Sequence, residues 1–301
     1  MGYMNTINND KEYKKINGGQ SGADVYEQDG SLIFKHVVRD RIDNGMFDTY
    51  VKEALFYQSE CPRSYLPQVQ KVEIFPDEIG IVMKKYDSPD KSDLNEDLLR
   101  KIAGVLACIH SGPVPEFLVN DDIKPDVFSK DDIAECVKGW HSILDEHPGE
   151  FDDSPIDIIS HNINDIISRH ASEKKLLSHG DFHWDNILTD EDGTLIVCDW
   201  QGVGVRGASN DLSFFMSRLN ADGISVDSHS FLTWYALEYN RLTGEDVKAD
   251  ELERHIKAAN IITSFRYWHM YLHGNDTERV REIYDRMVSD CKECLGKVDR
   301  A

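Results

Sequence analysis

The chain has 301 residues, enough to bury a sizeable core in one large or two modest domains. Its 55 acidic against 33 basic side chains give a formal charge of −22 and a pI near 4.8. That balance argues against a nucleic-acid partner, because neutralising phosphates requires clustered Lys and Arg that are not seen here. It suits a cationic small molecule, although acidic surfaces chiefly serve solubility.

From Tyr13 the sequence predicts two short strands, Lys14 to Ile16 and Ala23 to Glu27, about the glycine-rich turn Asn17-Gly18-Gly19-Gln20-Ser21-Gly22. Glycines let backbone approach phosphate oxygens and adopt positive φ, and a hydroxyl at Ser21 beside Gly22 suits a phosphate contact. The turn matches neither the nucleotide P-loop nor the protein-kinase glycine pattern. Asp29-Gly30 then turns the chain into a β-branched and aromatic strand, Ser31 to Val38. Its central Lys35 is either an exposed strand lysine or a cation for nucleotide phosphates. Phe47 to Tyr57 is helical by period, with Phe47, Tyr50, Val51, Ala54 and Leu55 on one face and Glu53 two residues round from it. Two further strands, Val69 to Phe75 and Ile79 to Tyr86, complete a five-stranded antiparallel sheet with one helix.

Asp87 to Asp93 is a polar linker, and everything after it predicts helix except around one motif. Leu94 to His110 is amphipathic and stops at Ser111-Gly112-Pro113. Helical pieces Asp131 to Leu144 and Pro155 to His170 lie in an acid-rich stretch that includes Asp152, Asp153 and Asp157. Ser228 to Leu242, Ala249 to Leu272 and Thr277 to Leu295 follow by period.

The motif is His179-Gly180-Asp181-Phe182-His183-Trp184-Asp185-Asn186-Ile187-Leu188, then Thr189 to Thr194 with an Asp192-Gly193 turn, then Leu195-Ile196-Val197-Cys198-Asp199-Trp200. The two apolar runs predict an antiparallel hairpin that brings Asn186 near Asp199, with Asp181 on the same loop. Two carboxylates and an amide in this order match the needs of phosphoryl transfer. One acid orients and deprotonates a hydroxyl, while the other acid and the amide oxygen hold Mg²⁺ against nucleotide phosphates.

Through these residues the chain resembles the aminoglycoside phosphotransferase and choline kinase-like superfamily. The resemblance implies an α+β, bilobal protein-kinase-like fold. A small nucleotide-binding lobe would span residues 1–86, and a mostly helical lobe carrying the catalytic loop and acceptor site would span 87–301. It implies Asp181 as catalytic base, Asn186 and Asp199 as ligands of Mg²⁺, and ATP or GTP as co-substrate. Lys35 would be braced by Glu53, with Glu60 as the alternative, and Met83 would lie beside the purine, with backbone around Lys84 and Lys85 bonding the base. His110, His179 and Asp211 would be structural. Carboxylates such as Asp152, Asp153 and Asp157 would either line a site for an aminoglycoside or similar aminated antibiotic or form solvated surface. Trp268 and Tyr271 would be either core or acceptor-facing.

The runner-up acceptor is choline, an amino sugar or another small alcohol. A non-catalytic nucleotide-binding regulator is the rival from another class, disfavoured because Lys35, Asp181, Asn186 and Asp199 are all kept. A protein kinase is disfavoured because its Ala-Pro-Glu anchor is missing. The six cysteines read as free thiols, Met1 to Asn9 lacks the features of a signal peptide, and no apolar run approaches a membrane span. These point to the cytoplasm, with no membrane partner.

Overall fold

The computed structural model describes residues 13–16, 22–59, 63–119 and 127–296. Ser21, Glu60 and Cys61 lie outside the described residues. Strands β1 (Tyr13–Ile16), β2 (Asp24–Gln28), β3 (Leu32–Val38), β4 (Val69–Ile74) and β5 (Glu78–Lys84) form one antiparallel sheet in the order β1-β2-β3-β5-β4. Helix α1 (Asn44–Gln58) connects β3 to β4 and is capped by Asp43, which accepts from Gly45 N–H. Strand alternation turns Val37, Ile79, Ile81 and Met83 toward Phe47, Tyr50 and Ala54 of α1, and these seven side chains form a dry core. Lys35 pairs with Ile81 across the ladder and shares that inward face. On the other face Tyr26, Phe34 and His36 stack in sequence, with ring centroids about 6 Å apart.

The remainder is mainly helical: α2 (Glu96–His110), α3 (Lys130–Asp145), α4 (Ser154–Ala171), α5 (Ala208–Ala221), α6 (Ser228–Thr243), α7 (Ala249–Tyr267) and α8 (Thr277–Gly296). Two small antiparallel sheets interrupt it. One pairs β6 (Leu176–Ser178) with β9 (Gly204–Arg206), the other β7 (Ile187–Thr189) with β8 (Leu195–Val197). One apolar cluster packs α2, α5 and α6 around these sheets, and a second joins α3, α4, α7 and α8 around Trp140, Phe265 and Met287. Among the described residues no helix is long and apolar enough to cross a membrane.

Several predicted boundaries move, those of α2 and α7 among them. Asn95 caps α2 by accepting from Leu98 N–H, so Leu94 stays outside the helix. Helix α7 stops at Tyr267 instead of Leu272, and Trp268–Met270 form a single tight turn. At that end the Trp140 indole donates to Phe265 C=O at 3.1 Å, one of the last carbonyls of the helix.

Candidate active site

Hairpin pairing of Ile187 with Val197 fixes the relation between the two halves of the motif, and Cys198 N–H donates to Asn186 C=O at 3.0 Å. Asp199 follows directly, in the left-handed conformation with φ 63° and ψ 60°. A non-glycine residue there is a local cost that neighbouring contacts must offset. Those contacts come from the sheet. Lys35 Nζ lies 2.7 Å from Asp199 Oδ1 and 2.8 Å from Glu53 Oε2, and Gln201 Nε2 also donates to Asp199.

This cluster sets its own ionisation. Burial penalises the Lys35 ammonium, but Glu53 and Asp199 outweigh it and raise its pKa above the ordinary lysine value. Burial would likewise raise Asp199, yet the charge and hydrogen bond of Lys35, with Gln201, hold it below the ordinary carboxylate range. Glu53 is raised, because burial outweighs the help it gets from Lys35. The Lys35 ammonium also stands 4.8 Å from the Tyr50 ring centroid.

Asp181 sits one turn of loop away, with its side chain about half exposed and its Oδ2 3.6 Å from His183 Nε2. Asn186 donates its amide nitrogen to Asp181 C=O at 2.9 Å. That bond fixes which side of the amide is spoken for and leaves Oδ1 as the available ligand atom. An amide oxygen and an ionised carboxylate on adjacent strand ends are hard oxygen donors, so the pair fits Mg²⁺ rather than a metal favouring sulfur or imidazole.

The loop is held from below by Asp211. Its carboxylate accepts from His179 N–H and Gly180 N–H, both at 2.8 Å, and from Ser178 Oγ at 3.0 Å, while His110 Nε2 stands 3.1 Å away. Burial opposes the charge, but His110 and these donors carry the Asp211 pKa down to about 2. His179 is fully buried between Cys198 C=O, 2.9 Å from Nε2, and Asp181 N–H, which donates to Nδ1 at 3.2 Å. Burial lowers its pKa, so it is a neutral strut. Gly180 has φ +80°, and a Cβ there would fall 2.1 Å from Gly202 C=O. No side chain fits where the two loops cross.

Other expected residues land variously. Gly22 has φ +79°, and a Cβ would meet Ile42. Met83 is 7% exposed, in the core shared by the sheet and α1. The N–H groups of Lys84 and Lys85 are not available to a base, because they donate to Gln68 C=O and Ser31 C=O, both at 2.9 Å. Strand β5 ends at Lys84, two residues before the predicted Tyr86, and its backbone pairing continues only through Lys85. The Lys85 ammonium pairs with Glu27 at 3.1 Å, and the first N–H after β5 without a backbone partner among the described residues is that of Tyr86.

Asp152 is spent on Ser154 as a turn-forming acid, Asp153 lies 3.5 Å from His141, and Tyr271 is 71% exposed. Asp157 lies in the first turn of α4, where its backbone C=O accepts from Ser160 Oγ. Trp268 and Gly180 line a common cavity of about 430 Å³, whose lining includes neither Tyr271 nor any of the three acids.

The sequence reading missed Gln201, Arg206 and the central packing role of Trp200. Trp200 is fully buried, with ring centroids 4.4 Å from Phe56 and 4.5 Å from His179. It joins α1 to the motif loop. The signal for Arg206 was only its place between Gly202, Gly204 and Gly207, where small residues make room for a guanidinium.

Solved structures share the fold. An aminoglycoside phosphotransferase APH(2'')-Ib in its ADP-bound form is 16% identical over 97% of each chain, with a TM-score of 0.57. A wild-type aminoglycoside 2'-phosphotransferase-IIIa in complex with GDP is 14% identical over 97% of this chain and 96% of that one, at 0.58. An ethanolamine kinase from Plasmodium vivax is 15% identical over 96% of this chain and 86% of that one, at 0.55. At these identities the likeness is one of fold. No curated protein matches the chain. A family model described as "Phosphotransferase enzyme family" matches residues 48–245, a span that includes Glu53, the whole motif loop and Asp211. The chain therefore belongs to the phosphotransferase enzyme family.

Proposed function

We propose that this phosphotransferase is a small-molecule kinase that moves the γ-phosphoryl group of ATP or GTP to an acceptor hydroxyl. The supporting observation is the convergence of Lys35, Glu53 and Asp199 within 2.8 Å contacts beside the loop that carries Asp181 and Asn186. Residues 1–86 would form the nucleotide-binding lobe and 87–301 the acceptor lobe. Lys35, kept charged by Glu53, holds the α- and β-phosphates. The Tyr86 N–H bonds the base near Met83, and Gly22 belongs to the turn over the phosphates. Asn186 Oδ1 and Asp199 would hold Mg²⁺, which when bound neutralises charge on the phosphates. Asp181 accepts the proton of the acceptor hydroxyl as its oxygen bonds to the γ-phosphorus, and the nucleoside diphosphate leaves with the electrons of the broken P–O bond.

Fold likeness to aminoglycoside kinases supports an aminated antibiotic as acceptor. Against it, Asp152 and Asp153 are engaged locally, and the cavity beside Gly180 carries Arg206 and Arg286. Those cations favour a metabolite alcohol over a polyamine. The free cysteines support a reducing compartment such as the cytoplasm.

Release of ADP or GDP, followed with magnesium across a panel of sugars, hydroxy acids, amino alcohols and aminoglycosides, tests the kinase reading. No nucleotide consumption with any member would sink it. So would an Asp181→Asn variant as active as the parent.

A further inference from the structure

The cavity beside the motif loop has walls of unusual charge for this chain. It opens between Gly180 and helices α5, α7 and α8, and it is lined by two arginines, Arg206 and Arg286. Asp211 is the only carboxylate in that lining, and its oxygens already serve His110, Ser178, His179 and Gly180. In a sequence with 55 acidic side chains, a cleft without an available acid is not what average composition provides.

Arg206 is placed for a ligand. Its guanidinium lies over the motif loop, and a Cβ on Gly180 would stand 2.5 Å from its Nη1. Within the chain it donates to Gly202 C=O at 2.7 Å and, among the described residues, has no carboxylate partner. A guanidinium has five N–H donors in a planar fork, so most of its capacity is uncommitted. Arg286, on α8, has one ion pair among the described residues, Glu282 at 3.6 Å, and also attracts the buried Asp290. Phe214 and Trp268 supply flat apolar surface to the same cavity, and Phe214 packs edge-on to His183, the neighbour of Asp181. An adjoining cavity of about 370 Å³ shares Ser213, Ser217, Asn260 and Arg286 with it. Its two carboxylates are Glu253, already paired with Lys257 at 2.7 Å, and Asp290, whose charged form Lys257 and Arg286 attract and which burial keeps toward the neutral acid.

We propose that this cavity receives the acceptor, and that the acceptor carries a carboxylate or phosphate group held by Arg206 and Arg286 in addition to the hydroxyl that is phosphorylated. This rests on the kinase reading above and narrows its substrate class to anionic alcohols. Two arginine forks recognise either anion by paired charge-assisted hydrogen bonds, and they repel the ammonium groups of a polyamine.

The test uses the full chain and matched aromatic probes that differ in charge. Binding of para-hydroxyphenylacetate, its neutral alcohol tyrosol, its amine tyramine, and phenyl phosphate is measured by ligand-observed NMR and calorimetry. Parallel titrations with ATP and GTP in the presence of magnesium report the nucleotide site. An anionic probe should bind about tenfold or more tightly than tyrosol or tyramine. Arg286→Gln should erase that preference while nucleotide affinity stays unchanged, and Arg286→Lys should keep part of it. Tighter binding of phenyl phosphate identifies the anion as a phosphate, and tighter binding of the acid identifies it as a carboxylate. Equal or tighter binding of tyramine, a preference that survives Arg286→Gln, or no binding by any probe overturns the proposal. Preferential turnover of amines would overturn it and leave the kinase reading standing. Anion binding without nucleotide binding would overturn the kinase reading, and with it the acceptor role, leaving only an anion site at Arg206 and Arg286.

Discussion

Lys35 bridges two acids that come from different parts of the molecule, Glu53 on α1 at 2.8 Å and Asp199 after the hairpin at 2.7 Å. One ammonium therefore ties the sheet, its helix and the motif loop together. Replacing it with methionine leaves a fully buried and a partly buried carboxylate facing each other. The expected loss is about 3 kcal/mol, the low end of the range for breaking a buried pair, because a third of the Asp199 side chain is exposed. Asp199 is held below its ordinary pKa in the folded chain, so its share of stability is present above the unfolded value and lost as pH falls through the folded one. Urea titration of Lys35→Met and parent should thus show a gap that is wide at pH 7 and narrows below about pH 4. A gap independent of pH would contradict the assigned cause.

Trp200 supplies the apolar counterpart of that link, stacked on Phe56, tilted against His179 and donating its indole N–H to Val197 C=O at 2.8 Å. Trp200→Ala should cost about 3–5 kcal/mol. Trp200→Phe should keep most of the stability but lower kcat more than nucleotide affinity, since the shift falls on the loop bearing Asp181. Denaturant midpoints and steady-state kinetics on both variants separate these effects. Unchanged stability in the alanine variant would refute the packing role.

How far the sequence could be read depends on whether the determinant was local. The five-stranded sheet, the helix after it and the hairpin from Ile187 to Val197 follow from alternation and turn chemistry, which act over a few residues. Helical period placed Glu53 two residues round from the apolar stripe of α1, the resemblance named it as the partner of Lys35, and the structure brings the two to 2.8 Å. By contrast, Arg206 over Gly180 and the cavity bounded by Trp268 and Arg286 depend on how α5, α7 and α8 pack, and no short spacing encodes that. Net charge says little about the acceptor for the same reason: it averages over the surface and is silent about which side chains face one cleft. The Trp140 indole that meets Phe265 C=O near the end of α7 comes from α3, equally remote in sequence.

Asp211 offers a test of the loop's support. Its pKa of about 2 lies below the ordinary 3.8, so the contribution is full above pH 4 and falls away between about pH 4 and pH 2. The difference corresponds to roughly 2 kcal/mol. Asp211→Asn should therefore be less stable than the parent at pH 7 by at least this much, and the two should converge at pH 2. Hydrogen exchange at the His179 and Gly180 amides should accelerate selectively in the variant. Uniform acceleration across the chain would argue for a global effect instead.

Asp290 on α8 runs the opposite way. It is 8% exposed, and its contact with Asn260 Nδ2 is long at 3.5 Å. Burial raises its pKa to about 6, against the pull of Asn260, Lys257 and Arg286. A folded-state pKa above the unfolded value means that the folded chain holds a proton the unfolded chain has released. Stability therefore declines as pH rises from about 4 to about 6 and stays lower above that window, by roughly 3 kcal/mol at most. Asparagine matches the side chain in shape and cannot ionise, so Asp290→Asn should equal the parent near pH 4 and exceed its melting temperature at pH 8. The gain should approach that ionisation cost, because the attraction of Lys257 and Arg286 is already contained in the pKa of about 6. Thermal melts of both proteins from pH 4 to pH 8 check this. A variant that is the less stable of the two at pH 8 would show that those cations outweigh burial.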